Sequence, residues 1–231
     1  MKVTVINGTE VKGCTYHIKE AFLNPIREKH EITEFYLPKD LPHFCIGCKV
    51  CFFDDAAKCP HAAQVMPIWN AMIDADLIVF TAPIYALGIP AGLKALLDRF
   101  SVRWMVHRPE PRMFSKCAVI MTNCIGMSFM AKHAQRDIVN ALSWMGVSKV
   151  KRLGIGLLEG VIWDELSSKR RMKIERKAQR LGKNYVNILP AKKGLKVRFK
   201  FAVCRMMHKM VDKKEKIPST DTLYWREQGW I

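Results

Sequence analysis

Acidic side chains are scarce in this chain: 21 Asp plus Glu stand against 38 Lys plus Arg, a net charge of +17 over 231 residues. The shortage is uneven. From Lys151 onward there are 21 basic and 8 acidic residues, or +13, so the first 150 residues carry only +4. A nearly neutral front thus precedes a basic back. Long apolar runs are missing too. The longest uncharged stretch, Leu77 to Leu93, is interrupted by Pro83, Gly88, Pro90 and Gly92, which excludes a membrane span there. Neither G-x4-G-K-[ST] nor G-x-G-x-x-G occurs, so the two commonest glycine-rich phosphate signatures are excluded; GIGLLEG (154–160) has the wrong spacing and reads as a turn. The opening MKVTVING reads as a strand rather than a signal peptide, and a reducing, cytoplasmic location with unpaired thiols is expected from it.

What is present is a concentration of cysteine. Cys45, Cys48, Cys51 and Cys59 follow C-x2-C-x2-C-x7-C, and Pro60 comes next. Two-residue spacers let three thiolates converge from one loop, and the longer spacer lets a fourth return. Soft thiolates in that number select an iron–sulfur cluster or zinc. The tripod is more typical of a [4Fe–4S] cluster than of zinc, which takes two separated C-x2-C pairs. Thiols without metal are the third reading. Cys117, Cys124 and Cys204 lie among apolar residues, as small hydrophobes do.

Strand and helix patterns alternate along the first 190 residues. Strands are expected at 2–6, 31–36, 77–83, 117–122 and 147–155, and helices at 16–28, 62–72, 90–100, 129–145 and 164–187. This order predicts a parallel sheet covered on both faces, with ligands outside the carboxyl ends of the strands. Three loops lie there. In the first, Gly8 and Gly13 permit tight turns, Thr9 and Thr15 supply hydroxyls, Lys12 is the nearby cation and Cys14 precedes a helix start that favours an anion. That composition suits a phosphate monoester, although Glu10 adds an acidic group; an ordinary turn capped by Thr15 has the same residues. The second, Pro83 to Pro90, leaves a strand end with little bulk, where backbone amides could meet a flat polar ring beside Tyr85, or where Tyr85 simply packs in a core turn. The third offers Asn123 and Gly126.

Two of these segments resemble a known family. ADLIVFTAPIYALGIPAGLKALLDR (75–99) is similar to the flavin loop of the flavodoxin-like NAD(P)H-dependent FMN reductases, with its S-P-x-Y core and following K-x-x-x-D-R. CIGCKVC plus Cys59 is similar to the compact motif of that family's iron–sulfur flavoproteins. The resemblance covers roughly residues 1–190. It implies an α/β, flavodoxin-like doubly wound five-stranded parallel sheet in the order 2-1-3-4-5. Residues 1–189 would form the FMN-binding domain, with the cysteine insertion at 45–59, and 190–231 a basic extension. It also implies an FMN phosphate held by Thr9 and Thr15 with their neighbours Gly8, Lys12, Cys14 and Tyr16. Pro83, Ile84, Tyr85, Ala86, Leu87 and Gly88 would surround the isoalloxazine, with Asn123, Cys124 and Gly126 on its other edge. A [4Fe–4S] cluster on Cys45, Cys48, Cys51 and Cys59 would lie close to FMN, in a homodimer or homotetramer with flavin near the subunit interface. Gly8-Thr9-Glu10-Val11 stands where the family usually reads G-S-P-R.

Function follows as an expectation: a flavin oxidoreductase exchanging electrons with small molecules or proteins, NAD(P)H or a ferredoxin being the donor. The alternatives are a cluster-free NAD(P)H-dependent FMN or quinone reductase, and a metal-stabilised interaction module acting through its basic tail. No catalytic acid or base is assigned, and His43, His61 and His107 read as structural or solvated. In the tail, alternation at 197–203 predicts a strand, with 203–211 a helical face as the other option. The tail reads as a structural arm with solvated charges, its terminal aromatics docked. An acidic partner is the first functional option and a membrane surface a weaker one; no nucleic-acid motif accompanies the charge.

Overall fold

The computed structural model describes residues 1–231 apart from Glu159, Val161 and Leu189. The domain limit expected at Leu189 therefore lies outside the described residues. In chain order the main elements are β1 (Lys2–Asn7), α1 (Cys14–Arg27), β2 (Glu31–Tyr36), α2 (Val50–Phe53), α3 (Ala62–Asp74), β3 (Leu77–Pro83), α4 (Ala91–Arg99), β4 (Cys117–Ile125), α5 (Ser128–Ala134), α6 (Arg136–Trp144), β5 (Lys149–Leu157), α7 (Ser168–Lys183), α8 (Leu195–Asp212) and α9 (Thr220–Glu227). All five strands are parallel, in the order β2-β1-β3-β4-β5. This is the flavodoxin-like, doubly wound arrangement.

Burial explains the pattern. β3 and β4 are apolar runs buried on both faces, as central parallel strands must be. At the edge, β5 exposes Lys149, Lys151 and Arg152, charges that discourage pairing with another chain. One core face joins Ile68, Leu96 and Leu142 of α3, α4 and α6 to Ile78, Phe80 and Ile120. The opposite face joins Ile18 and Phe22 of α1 and Ile174 of α7 to Val5, Val79 and Val119.

Lys19 is fully buried on α1 and ties that helix to the sheet edge. Its ammonium lies 2.5 Å from Glu34 Oε2 and 3.1 Å from both Glu20 Oε1 and Tyr36 Oη. Asn7 Nδ2 donates to the same Glu34 oxygen at 3.1 Å. Burial works against the charged forms, but these bonds outweigh it, so the Glu34 carboxyl is held below its ordinary 4.5 and Lys19 above its ordinary 10.5. A carboxylate with a depressed folded pKa contributes stability that is present above its ordinary value and lost as pH falls through the folded one. Lys19→Met is accordingly expected to cost about 3 kcal/mol at neutral pH by leaving Glu34 uncompensated. In urea denaturation the gap from wild type should close as pH falls below the ordinary carboxylate value of 4.5. A constant gap across that window would show that lost packing, not charge, is responsible.

Three expectations are corrected. The single helix expected at 129–145 is two, α5 and α6, divided at Gln135. Its fully buried amide donates to Thr122 Oγ1 at 2.8 Å and to the Leu153 carbonyl at 3.0 Å, pinning the junction to the sheet. The strand expected to end at 155 and give way to a turn runs on to Leu157. Here glycine serves close approach: a Cβ on Gly156 would stand 2.1 Å from the Gly126 carbonyl oxygen. The strand expected at 197–203 is part of α8. Val197, Phe201, Cys204 and His208 lie on one helical face against Trp225 and Phe114, so helical burial overrides the local alternation. The terminal aromatics are docked as expected, with Trp225 fully buried.

Candidate functional site

The carboxyl ends of β1, β3 and β4 open into one groove, lined by Thr9, Val11, Gly13, Cys14, Thr15, Pro83, Ile84, Tyr85, Asn123, Cys124 and Ile125. All three loops singled out in the sequence meet there. β1 ends at Gly8, whose N–H donates to the Thr81 carbonyl at 2.7 Å. A Cβ at Gly8 would stand 2.8 Å from Ala82 Cβ, so the residue is glycine because the chain turns against β3. Thr9 Oγ1 accepts from the Val11 N–H at 3.2 Å and shapes the loop.

The loop enters α1 through Gly13, which provides no side-chain cap, and the first turn holds no acidic residue. The first N–H groups of a helix lack partners within it, and the helix dipole favours negative charge there. Thr15 does not cap the helix. Its hydroxyl donates instead to Asn123 Oδ1, joining the start of α1 to the end of β4. Cys14 is buried in the wall, and burial pushes its thiol up.

After β3 the chain makes a tight two-residue turn. Tyr85 and Gly88 exchange backbone hydrogen bonds of 3.0 and 2.9 Å, and the Ile84 N–H donates to the Asn123 carbonyl at 2.9 Å. Ala86 (φ 47°) and Leu87 (φ 63°) are both left-handed. Two successive non-glycine residues in that region cost about 1 kcal/mol or more each, a strain that gathers at functional loops. Tyr85, Leu87, Ile125, Met127 and Phe129 are each more than half exposed, an apolar rim beside a groove that Thr9, Thr15 and Asn123 line together with apolar Val11 and Ile84.

Eight of the expected contact residues therefore line one groove: Thr9, Cys14, Thr15, Pro83, Ile84, Tyr85, Asn123 and Cys124. Gly8, Gly88 and Gly126 shape its loops, and Ala86 and Leu87 form the turn at its rim. Lys12 lies 5.7 Å from the Tyr16 ring centre, and neither belongs to the lining. The sequence reading missed Val11 and Ile125, whose apolar side chains carry no local signal of exposure.

The four motif cysteines line a second cavity, with Phe52, His61, Trp69, Arg99 and Arg103 among its walls. Cys45 and Cys48 are exposed, Cys51 and Cys59 half-buried. Burial raises the Cys51 thiol, and Cys59, Cys45 and Cys48 push it the same way. Among the described residues, no three His, Cys, Asp or Glu side chains are drawn together closely enough to hold a metal ion. The donor chemistry nonetheless fits an iron–sulfur centre: four soft thiols face one space, two of them on a loop without regular structure, beside two guanidiniums. Arg103 also covers the Trp69 ring at 5.2 Å. Arg99 was legible as the last residue of K-x-x-x-D-R, but nothing in that motif points to the cysteines.

His43 and His61 stack at 4.8 Å, and His107 Nδ1 pairs with Asp221 at 2.7 Å. No described helix is long and apolar enough to cross a membrane.

With this geometry in view, residues 1–156 match the family model described as NADPH-dependent FMN reductase. An iron–sulfur flavoprotein of Methanocaldococcus jannaschii is 38% identical over 101 residues, covering 43% of this chain and 51% of that protein. A second iron–sulfur flavoprotein of that organism is 28% identical over 100 residues, covering 43% and 50%. These matches span about half the length of the relatives. Among solved structures, an NAD(P)H:quinone oxidoreductase from Methanothermobacter marburgensis superposes with a TM-score of 0.64 at 18% identity, covering 82% of this chain and 98% of that one. An FMN-dependent NADH-azoreductase from Bacillus anthracis, in complex with FMN, gives 0.62 at 10% identity, with 81% and 100% covered. Both likenesses show the fold.

Proposed function

The chain belongs to the NADPH-dependent FMN reductase family, and from that premise we propose that it is an FMN-dependent oxidoreductase bearing a [4Fe–4S] cluster on Cys45, Cys48, Cys51 and Cys59. The observation that carries the flavin reading is the groove itself, where loops from β1, β3 and β4 converge at the sheet's carboxyl end. When bound, FMN supplies hydride acceptance and single-electron release, and an iron–sulfur cluster supplies a one-electron exit or entrance.

The chain's own residues do the positioning. The uncapped start of α1, with Thr9 and Thr15 beside it, receives a phosphate. Pro83 to Tyr85, its N–H groups spent on Asn123 and Gly88, forms a rigid wall along a ring edge, and the strained turn at Ala86 and Leu87 holds Tyr85 at the rim. Asn123, tethered through Thr15, lies on the opposite side. At the cysteines, Arg99 and Arg103 would offset the negative charge of a thiolate-bound centre, which raises its reduction potential.

NAD(P)H is the proposed hydride donor, and a quinone-like small molecule or a ferredoxin the electron partner. The exposed apolar rim supports assembly as a homodimer or homotetramer covering the groove. The exposed thiols Cys45 and Cys48 suit a reducing, cytoplasmic setting. One observation favours a second reading, a cluster-free reductase: the cysteines share a cavity without converging.

The test is the absorption spectrum of protein purified without oxygen, with flavin, iron and acid-labile sulfide counted per chain. About one FMN and about four irons, with flavin bleaching on addition of NAD(P)H, are expected. Flavin without iron after reconstitution would leave the cluster-free reductase. Failure to retain FMN at micromolar concentrations would overturn both.

A further inference from the structure

The segment carrying the cysteines has little structure of its own. α2 is a single turn, entered through Lys49 in the left-handed region. Its forward end is held by the main domain: Arg99 Nη2 donates to the His43 carbonyl at 2.7 Å. Its rear end is held differently. Arg108 spreads one guanidinium over three carbonyls, those of Cys51, Phe52 (3.1 Å) and Asp54 (2.8 Å). These belong to the last turn of α2 and the residue after it, where a helix leaves carbonyls without partners. Thr220 Oγ1, from α9, adds a 2.6 Å bond to the Phe52 carbonyl.

Arg108 is itself set by the C-terminal extension. Asp221 pairs with Arg108 Nε at 3.1 Å and with His107 Nδ1 at 2.7 Å, and the His107 ring stands edge-on to Phe52 at 4.9 Å. α9 is bound to the same stretch by Trp225 Nε1 to the His107 carbonyl, 2.6 Å, and by Tyr224 Oη to the Pro109 carbonyl, 2.5 Å. Trp225 is fully buried, stacked on His208 at 4.3 Å. The chain thus returns from its far end to close on the cysteine segment.

We propose that α9 is a clamp whose Thr220 and Asp221, acting with Arg108, are positioning residues for Cys51. Its meaning for a metal centre rests on the function proposed above, because Cys51 is the ligand whose main chain the clamp grips. The extension then serves the site directly: it fixes one half-buried thiol while Cys45 and Cys48 stay on a loop free to close.

The test separates the clamp from the metal. In metal-free, reduced protein, alkylation by iodoacetamide is followed at each cysteine by mass spectrometry. Wild type should modify Cys51 more slowly than Cys45 and Cys48. In the double variant Thr220→Val, Asp221→Asn, the Cys51 rate should rise about tenfold, the scale set by losing the Thr220 hydrogen bond and the carboxylate charge that holds Arg108, while Cys45 and buried Cys117 keep their rates. Thr220→Ser, which keeps the hydroxyl, should behave as wild type, and FMN affinity should not change. An unchanged Cys51 rate in the folded double variant overturns the clamp. So does a uniform rise at all cysteines, the mark of general loosening. On iron-loaded protein the double variant should surrender iron to a chelator about tenfold faster. If wild type binds no iron, the cluster reading fails while the Cys51 result still decides the clamp.

Discussion

Cys48→Ser is expected to lower iron from about four per chain to less than one, with FMN still bound. Cys48 lines the cysteine cavity and not the groove at the sheet's carboxyl end. A serine hydroxyl is a harder donor than a thiolate and stays protonated near neutral pH, so it does not replace a soft ligand. With one of four ligands lost on an exposed loop, nothing nearby substitutes. Reduction of bound flavin by NAD(P)H should proceed as in wild type, whereas transfer to a one-electron acceptor should fall by at least about tenfold. Iron content and electron transfer both equal to wild type would sink the four-cysteine assignment. Iron lost with transfer unchanged would show a cluster that is structural rather than on the electron path.

The second large effect is steric. Gly156→Ala should destabilise the protein by about 3 kcal/mol, at the upper end of overpacking costs. The added Cβ would lie 2.1 Å from the Gly126 oxygen and 2.7 Å from the Ser128 nitrogen. Both are main-chain atoms, so no side chain can swing aside. The 125–128 turn must lift from β5, taking with it Ile125, which lines the groove, and the hydrogen bond from the Gly156 N–H to Ser128 Oγ at 3.1 Å. FMN affinity should therefore fall by about tenfold or more in whatever fraction folds. Gly47→Ala is the comparison. Unlike Gly156, Gly47 has a positive φ of 68°, but its Cβ would meet nothing within 4 Å, so its cost is backbone strain alone, about 1 kcal/mol. Urea denaturation and flavin fluorescence titration check both. Equal midpoints and affinities for Gly156→Ala and wild type would refute the close-packing argument.

Much of this architecture was readable along the chain. β2 and β3 occupy the expected residues, 31–36 and 77–83, because each is an apolar or alternating run ended by turn residues. The three loops that meet in the groove were legible for the same reason: Gly8, Pro83, Gly88 and Gly126 punctuate strand ends. The failures have one character. At Gln135, Gly156, and Val197 to Val203, local preference pointed one way and a distant partner settled the matter: Thr122 and Leu153, Gly126 and Ser128, Trp225 and Phe114.

The same division runs through the functional sites. Residue type and spacing alone specified four soft thiols close in the chain and three turns at strand ends, since thiol chemistry and backbone freedom belong to the residues themselves. Folding decided how those parts are held. Thr15 bonds to Asn123 across 108 residues, Arg108 reaches back 57 to the Cys51 carbonyl, and Thr220 reaches back 168 to Phe52. Pairs so widely separated leave no periodicity or motif in the chain. They exist because sheet order and tail packing bring them within hydrogen-bond distance, where a buried carbonyl or amide must find a partner.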